Sequence, residues 1–208
     1  VTDKERRRSF ILDAAESRIK DKGIEETTMD EIARQADVSK GTLYLYFKNK
    51  QELLLGLHNR ALSQLVERSI SVLSEDKTGL QLLRRIGEEF VDFNTQNFFY
   101  MEIFLRYESL LLDDASLQNE EGQECHINAS RIFSYITRCI QVGQSDGSIS
   151  YNGDPKELAV IIWGAGRGLT QLSYMRKNKV LDSLIGDVDL SQQNLMLKHL
   201  DLILDSIK

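Results

Sequence analysis

The segment Val38-Ser39-Lys40-Gly41-Thr42-Leu43-Tyr44-Leu45-Tyr46-Phe47-Lys48-Asn49-Lys50 decides how this chain is read. Ser39 is an N-cap residue type, and a short helix over roughly 39–45 follows it. Upstream, Thr28 and Glu31 stand three residues apart, as in a capping box, and open a helix through Met29, Ile32, Ala33 and Ala36 that stops near Asp37. Two helices joined by a short turn around Asp37-Val38 have the shape of a helix-turn-helix unit, whose second helix enters the major groove of DNA. Phe47-Lys48-Asn49-Lys50 breaks the pattern, and a long helix runs on from about Lys50 to Val72. Tyr44-Leu45-Tyr46-Phe47 has strand propensity, but it is too short and too isolated to pair.

The side chains of this segment suit groove reading. Lys40 can donate to guanine O6 or N7, and the Thr42 methyl can touch a thymine methyl. Gly41 lets the backbone come close to a phosphate or to the preceding helix. Tyr44 and Tyr46 offer hydroxyls to phosphates or ring edges to base methyls. Lys48 and Lys50, at the start of the long helix, and Thr28, at the start of the second, are phosphate donors. Leu43 and Phe47 are expected to face inward. The alternative is a small helical core whose tyrosines are structural.

Charge is unevenly placed. Residues 1–60 carry 12 Lys+Arg and 11 Asp+Glu, whereas the rest of the chain carries 14 and 21, within an overall charge of -6. The N-terminal part is therefore not repelled by phosphate, and Arg6, Arg7, Arg8, Lys40, Lys48 and Lys50 are available for a local basic face, or simply for a solvated surface. At 28% charged and 41% hydrophobic residues the composition is that of an ordinary globular protein. No apolar run approaches the roughly 20 residues of a membrane span. The start has basic residues but no following apolar region, so no signal peptide is expected and a cytoplasmic location is.

Nearly every segment reads as helix, giving an all-α chain of about nine. The first covers 4–22, with Ile11, Ala15 and Ile19 in one stripe, Phe10 and Ala14 beside it, and Gly23 as its C-cap. Later helices are expected at 79–95, 98–112, 124–144, 154–178 and 190–207, with Asp113 to Gln123 an exposed loop. Asp154 caps the eighth, with Pro155 at its first position. Cys125 and Cys139 would lie about 21 Å apart on one helix, too far for a disulfide. Cys125 beside His126 is too little for a metal site. No acid/base pair, nucleophile with a placed histidine or metal cluster argues for an enzyme, and no cofactor is expected. Gly164-Ala165-Gly166-Arg167-Gly168 resembles part of a nucleotide-binding glycine motif, but it sits in a helical pattern with no strand before it. Its small residues more readily admit a neighbouring helix.

Residues 10–55 resemble the N-terminal DNA-binding domain of the TetR (tetracycline repressor-like) family. The matching text is Phe10-Ile-Leu-Asp-Ala-Ala, Gly23 before Thr27-Thr-Met-Asp-Glu-Ile-Ala, and Val38 through Lys50-Gln-Glu-Leu. The resemblance implies a phosphate contact at Thr28, recognition-helix contacts at Ser39, Lys40, Gly41, Thr42, Tyr44 and Tyr46, and an anchoring lysine at Lys50. Leu45 departs from it, since members often carry a second tyrosine there. It implies a three-helix DNA-binding domain over 1–50 and a larger helical effector-binding and dimerisation domain over 51–208.

For the second domain, the aromatic residues Phe90, Phe93, Phe104, Tyr107, Phe133 and Trp163, with Arg167, are expected to line an effector cavity of mainly apolar character. The last two helices supply two apolar stripes for a homodimer interface: Leu158, Ile162, Ala165, Leu169 and Leu172, then Met196, Leu200, Ile203 and Ile207. The function implied is a ligand-responsive repressor that binds a palindromic operator as a dimer and is released by a small apolar or amphipathic effector. An activator of the same fold, or a dimeric small-molecule-binding protein without DNA activity, are the alternatives.

Overall fold

The computed structural model describes residues 2–111, 119–177 and 191–208, the side chains of 106–111, 176–177 and 192 excepted. Among the described residues there are nine helices and no strand: α1 (Asp3–Lys22), α2 (Met29–Gln35), α3 (Lys40–Tyr46), α4 (Lys50–Leu73), α5 (Gly79–Gln96), α6 (Phe98–Leu111), α7 (Glu120–Asp146), α8 (Pro155–Lys177) and α9 (Gln192–Ser206). Two compact units divide the chain, one of residues 1–61 and 106–126, the other of 62–105 and 127–208.

Local chemistry sets the helix boundaries in the first unit. Thr2 with Glu5, and Thr28 with Glu31, form capping boxes at the starts of α1 and α2. Gly23 ends α1 at φ 86°, a backbone state open to glycine. Between α2 and α3 the turn is made by Asp37 at φ 52°, a left-handed conformation that short polar residues tolerate. The Val38 N–H returns to the Ala33 carbonyl at 3.0 Å, which satisfies the end of α2. Ser39 then caps α3 by accepting from the Thr42 N–H at 3.0 Å.

Ile11, Leu12, Ile19, Ile32, Leu43, Phe47, Leu53, Leu54 and Leu57 are all buried in this unit. α1 packs on α2, and α2 on α3. Because the first turns of α4 are part of this core, the unit closes within α4 rather than at residue 50, where the sequence reading drew the boundary. Gly56 of α4 shows how close the packing is. A Cβ there would come within 2.8 Å of the Phe47 ring and 3.2 Å of Leu12. Phe10 does not join the core. With Ile11 and Leu12 turned inward, it points out of α1 and is 65% exposed.

The largest departure from the sequence reading lies at the start of α7. Glu120 to Gln123, taken as exposed loop, are helical, and the Asn119 carboxamide caps them by accepting from the Gly122 N–H at 2.8 Å. Residues 113–118 of that expected loop lie outside the described residues. Glu121 is only 5% exposed, because it faces Arg8 of α1. Arg8 Nε donates to Glu121 Oε1 at 3.0 Å and Nη2 to both carboxylate oxygens. The same guanidinium lies over the Phe47 ring, 5.5 Å from its centroid. Arg8 is thus spent inside the unit and is not part of a basic face.

The second unit buries Val72, Leu82, Leu83, Ile86, Ile136, Ile140, Ile149, Leu158, Leu200, Leu204 and Ile207 in one cluster. α9 packs against α5 and α8. Thr78 caps α5 in a box with Gln81, and a Cβ on Gly79 would come within 2.5 Å of the Cys139 carbonyl of α7. That close approach is the reason α5 begins on glycine. Both cysteines lie on α7 as free, buried thiols, one in each unit. His126 points outward beside Cys125, so the pair does not converge.

Burial raises the Glu121 pKa above the usual 4.5, outweighing the opposing pull of Arg8. The folded unit therefore holds this proton at a pH where the unfolded chain has released it. Its contribution to stability is present at low pH and falls as pH rises from about 4.5 through the raised value. The expected outcome is that the Tm of the wild type relative to Glu121→Gln declines across that window. A difference that is flat or rising with pH contradicts the assignment.

Candidate nucleic-acid interface

α3 presents one face to the core and one to solvent. Leu43 and Phe47 are fully buried, as expected from the sequence. Ser39, Lys40, Gly41, Tyr44, Leu45 and Lys48 are exposed, while Thr42, Tyr46 and Lys50 are partly buried. The predicted contact residues on and around α3 thus lie on or at the edge of its outward face. Leu45, where the chain departs from the resemblance, is 84% exposed, far more than Tyr44 beside it at 46%.

Polar groups around α3 are already organised. Ser39 Oγ lies 2.8 Å from Thr42 Oγ1, and Lys40 forms an ion pair with Asp30 that ties α3 to α2. A Cβ on Gly41 would meet only Ser39 Oγ, at 3.8 Å, so this glycine faces open space and is not needed for an approach to α2. Lys50 Nζ donates to the Glu25 carbonyl at 3.3 Å. The Lys48 N–H donates to Glu52 at 2.7 Å, and the Asn49 carboxamide accepts from the Glu52 N–H at 2.8 Å, which closes the start of α4.

Thr28 is exposed, its hydroxyl 3.1 Å from the Glu31 carboxylate. Lys22, with the Thr28 N–H and hydroxyl, holds the Glu31 pKa down to about 2, so a full negative charge stands at the start of α2 and Lys22 offsets it. Arg6 pairs with Asp3. Of the six basic residues first grouped as a face, Arg8 is removed, and Arg6 and Lys40 carry acidic partners.

In the second unit the residues expected to form an effector cavity fall into two groups. Arg167 lies 4.6 Å from the centroid of Trp163 and 5.1 Å from that of Phe104. Phe133 meets Trp163 edge-on, with centroids 6.4 Å apart. These four residues form one cluster. Phe93 belongs to another: it stacks on Tyr100 at 6.2 Å and has Arg68 over its face at 5.3 Å. Phe90 is partly buried, and the side chain of Tyr107 lies outside the described residues. Burial lowers the Arg167 pKa. Arg68, which also reaches Glu89 at 3.3 Å and Asp92 at 3.2 Å, was missed in the sequence. Only the spacing of Glu89 and Asp92 on α5, facing an arginine on α4, hinted at it.

The stripes named for a dimer interface also divide. Leu158, Met196, Leu200 and Ile207 are buried, and Ile162 and Ile203 pack against the same core, so these six close the unit itself. The physical reason is that α9 docks on α5 and α8 and turns its main apolar stripe inward. Ala165 and Leu172 are exposed and Leu169 partly so. Val160, Ile161, Trp163 and Leu202, which the sequence reading left out, join them on the outside. Of the glycines in this stretch, a Cβ on Gly166 would make ordinary contact with Met196, at 3.4 Å, while Gly164 and Gly168 face open space. A shallow groove between α8 and α9 is lined by Ala165, Gly168, Leu169, Gln171, Leu172, Met175 and His199.

Residues 11–57 match the family model of bacterial regulatory proteins of the tetR family. The fatty acid metabolism regulator protein of Bacillus subtilis is 38% identical over 73 residues, which are 35% of this chain and 38% of that protein. The transcriptional activator FasR of Mycolicibacterium smegmatis is 38% identical over 90 residues, covering 43% of this chain and 41% of FasR. The chain thus spans about two fifths of the length of each of these relatives. The crystal structure of the transcriptional regulator FadR from Bacillus subtilis in complex with stearoyl-CoA superposes with a TM-score of 0.71 at 23% identity, covering 96% of this chain and 99% of that one. Over residues 11–57, a helix-turn-helix whose core is closed by Leu43 and Phe47 and whose polar face is turned outward is thus similar to the bacterial regulatory proteins of the tetR family.

Proposed function

We propose that the chain is a ligand-responsive repressor that binds a palindromic operator as a homodimer and lets go when an amphipathic effector binds its second unit. The observation that carries this reading is the outward face of α3, held on the buried core of α1 to α3 and the first turns of α4 within the family-matched residues. One recognition helix reads too few bases for specificity, and a two-fold dimer sets two of them about 34 Å apart, in successive major grooves.

The exposed apolar face of α8 and α9 supports dimerisation. Val160, Ile161, Leu172 and Leu202 leave apolar surface that a second copy would cover. The Arg167 cluster supports an amphipathic effector: Phe104, Phe133 and Trp163 supply apolar surface, and the guanidinium between them meets an anionic group. Stearoyl-CoA, the ligand in the FadR complex, has both features and serves as the probe. α4 is one continuous helix with its first turns in the first unit and its last in the second, so a shift at one end reaches the other along it. The effector must favour the released state by differential affinity, since equal binding to both shifts nothing. Activation in place of repression is a second reading, favoured by the name of FasR.

Retention of genomic DNA fragments, followed by transcription from a reporter carrying the retained fragment, tests the proposal. Repression reversed by stearoyl-CoA is expected; absence of specific retention overturns it, and a rise in transcription selects the second reading. Lys48→Ala and Lys50→Ala are expected to weaken matched and mismatched duplexes alike. Each should lower the salt slope by about 0.9 per lysine lost, hence by roughly 2 for a dimer. Ile161→Glu with Leu202→Glu is expected to give monomers by light scattering and to abolish retention at concentrations where the wild type binds. Arg167→Ala should raise the stearoyl-CoA concentration for half-release by about ten-fold, the worth of one charge-assisted hydrogen bond to the anionic group; an unchanged value rules out its role.

A further inference from the structure

The outward face of α3 carries a large apolar side chain. Leu45 is 84% exposed, and a single exposed leucine on an arbitrary surface would need no explanation. Here its neighbours matter. Gly41 lies one turn before it on the same face. Nothing but Ser39 Oγ comes within 4 Å of the position a Gly41 Cβ would occupy. Tyr44, exposed beside Leu45, extends the apolar area. The N-terminal polar groups are meanwhile engaged: Lys40 with Asp30, Thr42 with Ser39. The outward face of α3 therefore offers an apolar knob above a bare stretch of backbone.

Resting on the DNA-binding reading above, we infer that Leu45 is a specificity-determining residue that reads the C5-methyl group of a thymine in the major groove. The face is continuous with the family-matched DNA-binding domain. The thymine methyl is the one apolar group a base pair displays in that groove. The notch over Gly41 leaves room for it against the backbone, where a larger residue at 41 would fill the space. Burying one methyl is worth a factor of about four in affinity, so two half-sites together give on the order of ten-fold.

The test uses the full-length protein and a fragment retained from genomic DNA, prepared with thymine or with deoxyuridine, which lacks only the methyl. Wild type and Leu45→Ala are titrated against both. Wild type is expected to prefer the thymine fragment by about ten-fold, and Leu45→Ala to lose most of that preference with an unchanged Tm, since the side chain supports no core. An equal thymine-to-deoxyuridine ratio in the two proteins overturns the inference while leaving DNA binding intact. A change of oligomeric state in Leu45→Ala without a change in that ratio also overturns it, because the residue then serves contact between copies. Failure of the wild type to retain any fragment specifically overturns both readings.

Discussion

A helix of seven residues does not stand alone in water. Nucleation costs more than so few hydrogen bonds return, and isolated helices become marginal below about 12–15 residues. α3 exists because Leu43, on its inward face, and Phe47, at its C-cap, are wholly buried, and because Ser39 closes its first turn. Everything at the surface of α3 is set by that anchoring. With two inward residues fixed, the helix cannot rotate, and Lys40, Gly41, Tyr44 and Leu45 have only one direction in which to point. Arg8 and Glu121 extend the constraint. The guanidinium over Phe47 is itself held by a carboxylate from α7, so the end of α3 is positioned by residues more than seventy places away in the chain.

Electrostatics fits the same economy. A chain of net charge -6 can approach a polyanion only where acids are neutralised or turned away. Around α2 and α3 they are neutralised in place: Asp30 by Lys40, Glu31 by Lys22. Such exposed pairs contribute little to stability. They matter here because each lowers the repulsion a phosphate would meet, at the cost of occupying the lysine concerned.

Among the described residues, the helices, most of their limits and the inward face of α3 were legible in the sequence. They depend on caps and periodicities within a few residues: Thr28 with Glu31, Ser39 with Thr42, Leu43 with Phe47. What escaped depends on partners remote in sequence. Glu121 looked like loop polarity because its partner is Arg8, and the α9 stripe of Met196, Leu200 and Ile207 looked like an interface because periodicity does not say whether the covering surface is the same chain or another. Phe10 failed for a related reason. An apolar residue beside a stripe joins it only if the helix is rotated that way, and Ile11 with Leu12 fixed the rotation. Of the residues expected to line one cavity, Arg167, Trp163 and Phe104 lie together, whereas Phe93 stacks apart from them on Tyr100.

The two cysteines give the chain an internal gauge. Burial pushes both thiols up to about 12, so at neutral pH neither is a thiolate in the folded state and neither attacks an electrophile. They sit on one helix, Cys125 in the first unit and Cys139 in the second. Alkylation at one or the other therefore clocks the opening of each unit separately, with no engineered label and no change to any surface.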